Sequence, residues 1–319
     1  MKQEQSTSTT AQVLITDAVH PLLIEGLTAA GYHCTYLPKI DLATTRQLVA
    51  AYQGLIINSK ILVDKAFLEG APQLKFIGRL GSGLEIIDLE AAAAHQVTVI
   101  RAPDGNCDAV AEHALGMLLS LANNLRQADQ QVRQCIWKRE QNRGWELWGK
   151  TIGIVGFGYT GRALATRLAG FGMQVLAYDK YLTNYADDLP HVQECTMEQL
   201  FAEAQILSLH LPATAETKGM ANEDYWKRFK RGLVVVNTSR GNIVPIHDLL
   251  KCLDNGHIKG ACLDVFENEK PETYSIMEAA LFAVLFKQEN VLLSPHVAGW
   301  TNESKERLAK LLLGRIMKL

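Results

Sequence analysis

The chain has no cysteine pairs of the kind that hold metals or staple small folds. Its six cysteines, Cys34, Cys107, Cys135, Cys195, Cys252 and Cys262, are scattered without a C-x-x-C pair. That spacing argues against a disulfide framework or a zinc site, so free thiols in a reducing compartment and no metal site are expected. Long apolar runs are also missing. The longest candidate, Ile276 to Phe286, is well short of the roughly 18 residues of a membrane span and carries Glu278. The polar N-terminus, MKQEQSTSTTAQ, lacks the apolar stretch of a secretory signal, and a cytoplasmic protein is expected. Charge of one sign is absent as well. With 32 Lys and Arg against 34 Asp and Glu, the net charge of −2 gives no general attraction to nucleic acid or to an anionic membrane.

What is present is a globular balance, 48% hydrophobic and 21% charged, over 319 residues, enough for two domains of ordinary size. Apolar, often β-branched runs alternate with helical-period stretches almost from end to end. Strands are predicted at Val13–Thr16, His33–Leu37, Gly54–Asn58, Phe76–Arg79 and Thr98–Arg101, with helices at Pro21–Ala30, Thr44–Ala51, Lys65–Glu69 and Leu89–His95 between them. Asp108 to Trp137 reads as long helical material. The alternation then resumes, with strands at Thr151–Val155, Gln174–Tyr178, Ile206–Leu211, Leu233–Thr238, Gly260–Val265 and Val291–Ser294. Such alternation implies parallel sheets covered on both faces, and the continuous hydrophobicity of VVVN and GIVG agrees with two-sided burial. Two α/β units are therefore expected. The last helical stretch, Asn302 to Leu319, follows the final strand of the second unit and is expected to pack back on the first. Hinges fall at Ala102–Asp108 and Ser294–Gly299, and two crossings suit a cleft that closes.

Only the second unit carries a glycine fingerprint. Gly156, Gly158 and Gly161 stand between the apolar run Ile152–Val155 and a helix-like stretch, Arg162–Phe171, and the next apolar run ends on Asp179. A G-x-G-x-x-G turn in a strand–helix–strand unit, with an acid about 20 residues on, is the pattern a dinucleotide site needs. The first glycine permits the tight turn, the second admits a pyrophosphate to the backbone, and the third lets helix and strand pack closely. Unpaired N–H groups and the dipole at the helix N-terminus favour the pyrophosphate's charge. Asp179 is placed to bind ribose hydroxyls and repels a 2′-phosphate. Lys180 softens that repulsion, but no arginine cluster accompanies it, so NAD(H) is expected over NADP(H).

Redox chemistry on such a cofactor calls for a cation, an acid/base and a partner tuning the acid/base. Three polar clusters follow predicted strands: Asn237 to Gly241, Asp264 to Glu269, and Ser294 to Gly299. Arg240 offers a guanidinium to a carboxylate. His296 titrates near neutrality and suits proton exchange with a carbonyl or alcohol oxygen. The other eight histidines, His113 and His257 among them, are assigned to structure. Glu269 or Glu267 would hold the imidazole tautomer, and spacing does not choose between them.

These clusters, with GFGYTG, resemble the D-isomer-specific 2-hydroxyacid dehydrogenases, a family that includes phosphoglycerate, glycerate, D-lactate, formate and phosphite dehydrogenases. The likeness covers nearly the whole chain. Asn106-Cys107-Asp108-Ala109-Val110-Ala111-Glu112 is similar to the family's N-x-x-x-V-A-E, and His210-Leu211-Pro212 on to Thr217 to its H-x-P-x-T-x-x-T. Thr238-Ser239-Arg240-Gly241 is similar to its S/A-R-G, Asp264-Val265-Phe266-x-x-Glu269 to its D-V-F/Y-x-x-E, and His296-x-Ala298-Gly299 to its P-H-x-A/G-G. The resemblance implies an α/β fold of two doubly wound parallel-sheet domains. One is a flavodoxin-like substrate domain (1–105 plus 296–319, discontinuous), the other a Rossmann NAD-binding domain (106–295). It also implies catalysis by Arg240, Glu269 and His296, favouring Glu269 over Glu267. Cofactor contacts are expected at Gly156, Gly158, Tyr159, Thr160, Gly161, Asp179, His210, Pro212, Thr217, Thr238, Ser239, Asp264 (toward the carboxamide) and Gly299. Substrate contacts are expected at Asn58, Ser59, Lys60, Gly81, Ser82 and Gly83.

Departures from the pattern fall mainly around the substrate. Asn58 stands where members binding phosphorylated substrates tend to have arginine, leaving Lys60 as a point charge. Lys270 interrupts the usual Glu-Pro, and an apolar segment, Tyr274 to Phe286, follows and reads as an added core element rather than a subfamily helix near the cleft. Gly83-Leu84-Glu85-Ile86-Ile87-Asp88 departs from G-x-D-N-I-D. The activity expected is NAD-dependent hydride transfer with a small 2-hydroxy or 2-oxo acid, D-3-phosphoglycerate included; the alternative is a hydroxypyruvate or glyoxylate reductase. An NADH-sensing binding protein is a third reading, since the family includes corepressors, but the intact Arg240, Glu269 and His296 set argues for turnover. No further C-terminal regulatory domain is expected. A homodimer through the NAD-binding domain is expected, with Ala109–Leu121 as its candidate surface.

Overall fold

The computed structural model describes residues 10–319. The start of the polar N-terminal stretch lies outside them. The chain divides into two compact units, one running up to Asn106 and taking in Trp300–Leu319, the other Cys107–Gly299.

The first unit is a five-stranded parallel sheet: β1 (Gln12–Ile15), β2 (His33–Tyr36), β3 (Gly54–Ile57), β4 (Phe76–Arg79) and β5 (Thr98–Arg101), in the order β2-β1-β3-β4-β5. This is the flavodoxin-like order. Helices α1 (Pro21–Ala29), α2 (Leu42–Leu48), α3 (Lys65–Glu69) and α4 (Leu89–Ala94) cover it. Three of them start on an aspartate whose carboxylate accepts a first-turn N–H: Asp41 from Thr44 at 2.8 Å, Asp64 from Phe67 at 2.8 Å and Asp88 from Ala91 at 2.9 Å. Each cap satisfies a donor that the helix itself leaves open. The central strand β3 is buried at every position, which explains why its sequence is continuously apolar rather than alternating. The C-terminal helix, Asn302–Ile316, belongs to this unit. Its Ala309, Leu312 and Ile316 join a core with Val13, Ile15, Leu23 and Ile56.

The second unit opens with α5 (Cys107–Ala122) and α6 (Leu125–Arg133). It continues through β6 (Thr151–Val155), α7 (Tyr159–Leu168), β7 (Gln174–Tyr178), β8 (Val192–Glu194), α8 (Met197–Glu203), β9 (Ile206–Leu209), α9 (Glu223–Lys227), β10 (Leu233–Asn237), α10 (Ile246–Asp254), β11 (Ile258–Leu263), α11 (Ile276–Phe286) and β12 (Val291–Leu293). Its seven strands pair in parallel as β12-β11-β10-β9-β6-β7-β8. The chain runs outward from β6 to β8 and then returns to β9 on the other side of β6. This reversal is the switch point where Rossmann sheets bind dinucleotides, beyond the strand C-termini.

Several expectations are corrected. The helical material from Asp108 to Trp137 is two helices, because Asn124 adopts a left-handed conformation (φ +52°). The edge strand β8 was not foreseen, since three residues, VQE, carry no strand-like apolar run. Within Ala109–Leu121, Ala109, Ala111, Ala114, Met117 and Leu118 are buried inside the unit, where α5 packs on α7 and β11, while Leu115, Leu119 and Leu121 are only partly buried. His296 to Gly299, placed with the first domain from sequence, group with the second unit, because Asp264 holds them there through backbone bonds described below. The Tyr274–Phe286 segment contains α11, with Phe282 and Leu285 buried in the main core of the unit and Ile276 and Met277 exposed. Glu278, which interrupts its apolar run, completes a capping box with Ser275.

All six cysteines are free thiols. Among the described residues no helix is long and apolar enough to cross a membrane.

Candidate active site

The glycine turn follows β6 at the switch point. Gly156 has φ +89°, and a Cβ there would stand 2.4 Å from the His210 carbonyl oxygen. A Cβ on Gly161 would stand 2.1 Å from the Gly156 carbonyl oxygen, so only glycine lets α7 start this close to the strand. Around Gly158, the N-cap of α7, no atom lies within 4 Å of where a Cβ would be, leaving its backbone open to a ligand. Tyr159 and Thr160 form the first turn of α7, with the Tyr159 ring exposed.

Asp179, at the end of β7, is held by three backbone N–H groups. Its Oδ2 accepts from Phe157 in the glycine turn (2.8 Å), and its Oδ1 accepts from Tyr181 (2.9 Å) and Leu182 (3.1 Å). A cavity of about 470 Å³ opens beside it, lined by Tyr178, Tyr185, Thr196, Met197 and Arg228 among others. This cavity adjoins Asp179 and not His296. After β9, burial pushes the His210 imidazole down to about 4, so it is neutral at physiological pH. Its Nε2 faces the Ser208 hydroxyl at 2.8 Å, and its Nδ1 is buried without a protein partner. The Thr217 hydroxyl donates to the Pro212 carbonyl at 2.6 Å and accepts from the Thr214 N–H, closing that loop on itself. Thr238 adds a second buried polar atom, its hydroxyl oxygen, without a protein partner. The open cradle at Gly158 and these orphaned polar atoms around the switch point fit a polar dinucleotide.

The three polar clusters meet at the C-terminal ends of β10, β11 and β12. After β10, Asn237 braces the turn: its Oδ1 accepts from the Ser239 N–H and hydroxyl, and its Nδ2 donates to the Arg240 carbonyl. Gly241 then runs so close to the backbone of Phe266 that a Cβ would fall 1.9 Å from it. That approach brings Arg240 beside the segment bearing Glu269.

His296 Nδ1 lies 2.8 Å from Glu269 Oε2. A carboxylate only accepts, so Nδ1 carries the proton of this contact, which leaves Nε2 as the ring nitrogen available to exchange one. Glu267 is turned away, its Oε2 accepting the Ile246 N–H at the start of α10 (2.9 Å). The hydrogen bond that His296 donates to Glu269 raises the His296 pKa above its ordinary value. Burial opposes it, the Glu269 and Asp264 charges reinforce it, and the Arg240 charge works against it. For Glu269, burial alone would raise the carboxyl. The His296 hydrogen bond and charge, the Phe266 N–H and the Arg240 charge outweigh that and hold it below the usual range. Arg240 thus acts electrostatically on both members of the pair.

His296 sits at φ +54°, a left-handed conformation that costs a non-glycine residue about 1–2 kcal/mol. Asp264, fully buried, offsets that cost. Its carbonyl accepts the His296 N–H at 2.7 Å, and its carboxylate accepts from Val297 N (3.0 Å), Ala298 N (2.9 Å) and the Ser294 hydroxyl (2.5 Å). Asp264 is thus the anchor of the histidine loop as well as the expected carboxamide contact, and Gly299 ends the anchored segment. His113, assigned to structure from sequence, reaches this network. Its Nε2 lies 2.8 Å from the Ser294 hydroxyl and 3.6 Å from Asp264. The only sequence signal for it was its position one residue past V-A-E.

In the first unit, the Asn58 N–H donates to Asp17 at 2.8 Å, Ser59 is exposed, and the Lys60 ammonium donates to the Pro38 carbonyl at 2.8 Å. Arg79, not singled out from sequence, donates from Nη1 to Asn58 Oδ1 at 2.9 Å. The β3–β4 register, which pairs Ile57 with Arg79, brings it there. Its guanidinium lies under the 81–83 loop: a Cβ on Gly81 would meet Nη1 at 1.9 Å. The Ser82 carbonyl in that loop accepts from Arg101 at 2.8 Å, and Gly83 is buried beside it. Where sequence showed the loss of a cation at Asn58, the fold supplies one from the next strand.

Comparison with known proteins places this architecture. Residues 115–298 match the model of the D-isomer specific 2-hydroxyacid dehydrogenase NAD binding domain. The chain is 37% identical to the D-3-phosphoglycerate dehydrogenase of Mycobacterium leprae over 80% of its length and 46% of that protein. It is 35% identical to the Bacillus subtilis enzyme of the same name over 84% of its length and 50% of that protein. It thus spans about half the length of these curated relatives. Among solved structures, the apo form of Escherichia coli D-lactate dehydrogenase matches with a TM-score of 0.80 at 28% identity, covering 97% of this chain and 96% of that one. The chain belongs to the D-isomer-specific 2-hydroxyacid dehydrogenase family, with an NAD-binding domain of that family at residues 115–298.

Proposed function

We propose that the protein is an NAD-dependent D-2-hydroxyacid dehydrogenase acting on a small 2-hydroxy or 2-oxo acid. The observation that carries this is the 2.8 Å His296–Glu269 pair with Arg240 acting on both. NAD(H), when bound, takes or gives the hydride. In the reducing direction His296 donates the proton on Nε2 to the substrate's carbonyl oxygen, and Glu269 stabilises the imidazolium beforehand. Arg240 orients the substrate carboxylate and stabilises charge developing on the oxygen. Asp264 keeps the histidine loop in its strained conformation. In the first unit, the 81–83 loop, Asn58, Ser59 and Lys60, with Arg79, are the proposed substrate contacts.

D-3-phosphoglycerate and 3-phosphohydroxypyruvate are the leading substrate pair, supported by the Arg79 guanidinium and by the relatives' names. A second reading, hydroxypyruvate or glyoxylate reduction, is supported by Asn58 and by the engagement of Lys60 with the Pro38 carbonyl. Incubation with NADH and a panel of 3-phosphohydroxypyruvate, hydroxypyruvate, glyoxylate and pyruvate decides between them. Oxidation of NADH is expected with at least one, and none across the panel overturns the proposal.

We further infer a cytoplasmic homodimer associating through the NAD-binding unit. Exposed Leu125, Val132, Trp137 and Trp148 on that unit support the association. Light scattering at micromolar concentration tests it, with a monomer mass as the contrary result.

A further inference from the structure

We propose that Glu216 is a cofactor-specificity residue, holding Lys180 and Tyr181 at the ribose end of the nucleotide site and so setting the preference for NAD(H) over its 2′-phosphorylated counterpart. The inference rests on the reading of Asp179 as the ribose-binding acid.

Lys180 and Tyr181 directly follow Asp179, and the Asp179 carboxylate is bound to the backbone of Tyr181 and Leu182. Glu216 comes from the loop after β9, the one closed by the Thr217–Pro212 hydrogen bond. One Glu216 oxygen pairs with the Lys180 ammonium, and the other accepts from the Tyr181 hydroxyl at 2.9 Å. The two loops flanking the nucleotide's ribose end are thus clasped by one carboxylate. The pair raises the Lys180 pKa, chiefly through that hydrogen bond, and lowers that of Glu216.

A 2′-phosphate brings two negative charges and needs a cation to meet it. Lys180 is already neutralised by Glu216. Arg228, which lines the neighbouring cavity, lies 3.8 Å over the Phe201 ring and 3.7 Å from Glu198. Taken together, Asp179, Lys180 and Glu216 carry one net negative charge. Removing the Glu216 charge makes that sum zero and releases a lysine one residue from Asp179. Coulomb interaction of one charge with a phosphate dianion across several ångströms of water is a change of about tenfold in affinity. Lys180 and Glu216 are half-exposed, so the effect is largest at low ionic strength.

The test is calorimetric binding of NADH and NADPH, without substrate, to the wild type, Glu216→Gln, Lys180→Met, the double variant and Asp179→Ala. The Kd ratio is expected to move about tenfold toward NADPH in Glu216→Gln, and Lys180→Met in that background is expected to abolish the gain. Equal weakening of both cofactors in Glu216→Gln marks a merely structural clasp and overturns the proposal, as does a gain that survives Lys180→Met. No change at Glu216 with a shifted ratio in Asp179→Ala overturns the Glu216 role alone. No change at either position removes the ribose reading beneath it.

Discussion

Replacing Asp264 by asparagine should unfold the histidine loop's anchor while barely changing its volume. Both carboxylate oxygens receive backbone N–H groups: Oδ1 from Val297 at 3.0 Å, along with the Ser294 hydroxyl, and Oδ2 from Ala298 at 2.9 Å. An amide keeps one acceptor oxygen. Whichever way it turns, the N–H of Val297 or of Ala298 faces a second donor in a buried place. A hydrogen bond to a charged group contributes about 1.5–3 kcal/mol, and an unsatisfied buried donor costs about 1–3 kcal/mol. Relief of a buried charge offsets part of this. The expected net loss is about 2–5 kcal/mol. In a domain this size each kcal/mol moves Tm by about 2–4 °C, so melting should fall by about 4–20 °C. Thermal unfolding followed by far-UV circular dichroism measures it, with kcat for 2-oxo acid reduction measured alongside. The rate should fall as well, since His296 loses the support of its neighbours in the loop. A Tm within about 2 °C of the wild type, with kcat unchanged, would refute the reasoning, because it would mean that these bonds hold nothing.

Three further predictions follow from the same geometry. His296→Ala should lower kcat about 10²- to 10⁴-fold while calorimetry finds NADH affinity retained; near-normal turnover removes His296 from the proton transfer. Glu269→Gln should shift the pH profile. The Glu269 hydrogen bond raises the His296 pKa, so without that charge the acid form disappears at lower pH, and kcat/KM for reduction should begin its fall earlier as pH rises. By the same linkage, the pair stabilises the fold only between the acid range where Glu269 takes a proton and the pH where His296 loses its own. A profile that does not move, or moves to higher pH, contradicts the assignment. Gly161→Ala places a Cβ 2.1 Å from the Gly156 carbonyl, an overpacking that costs about 1–3 kcal/mol and pushes α7 from the turn. NADH should bind about tenfold more weakly, and unaltered binding would show that the turn accommodates the methyl group.

What could be read from the residues in order was whatever depends on a few neighbours at a time. Strand positions came from continuous apolar runs, because a strand buried on both faces has no polar side to show. The glycine turn and Asp179 lie within one strand–helix–strand unit, where the steric demands of the turn select residue types at short spacing. The proposed cofactor end of the site was therefore visible in the chain itself. The break at Asn124 escaped because a left-handed asparagine leaves the hydrophobic period intact on both sides.

The proposed acid/base pair was only half visible. Glu267 and Glu269 are the same residue type, two residues apart. The path of the loop decides between them, sending Glu267 to the N-terminus of α10 and Glu269 to His296. Arg79 reaches Asn58 through the pairing of β3 with β4, His113 on α5 reaches Asp264 at the end of β11, and Glu216 meets Lys180 across the switch point. Sequence alone determined the periods, the turns and the chemical types available near each strand end. The tertiary structure decided which of those groups meet, because sheet register and loop path bring together residues that no local pattern relates.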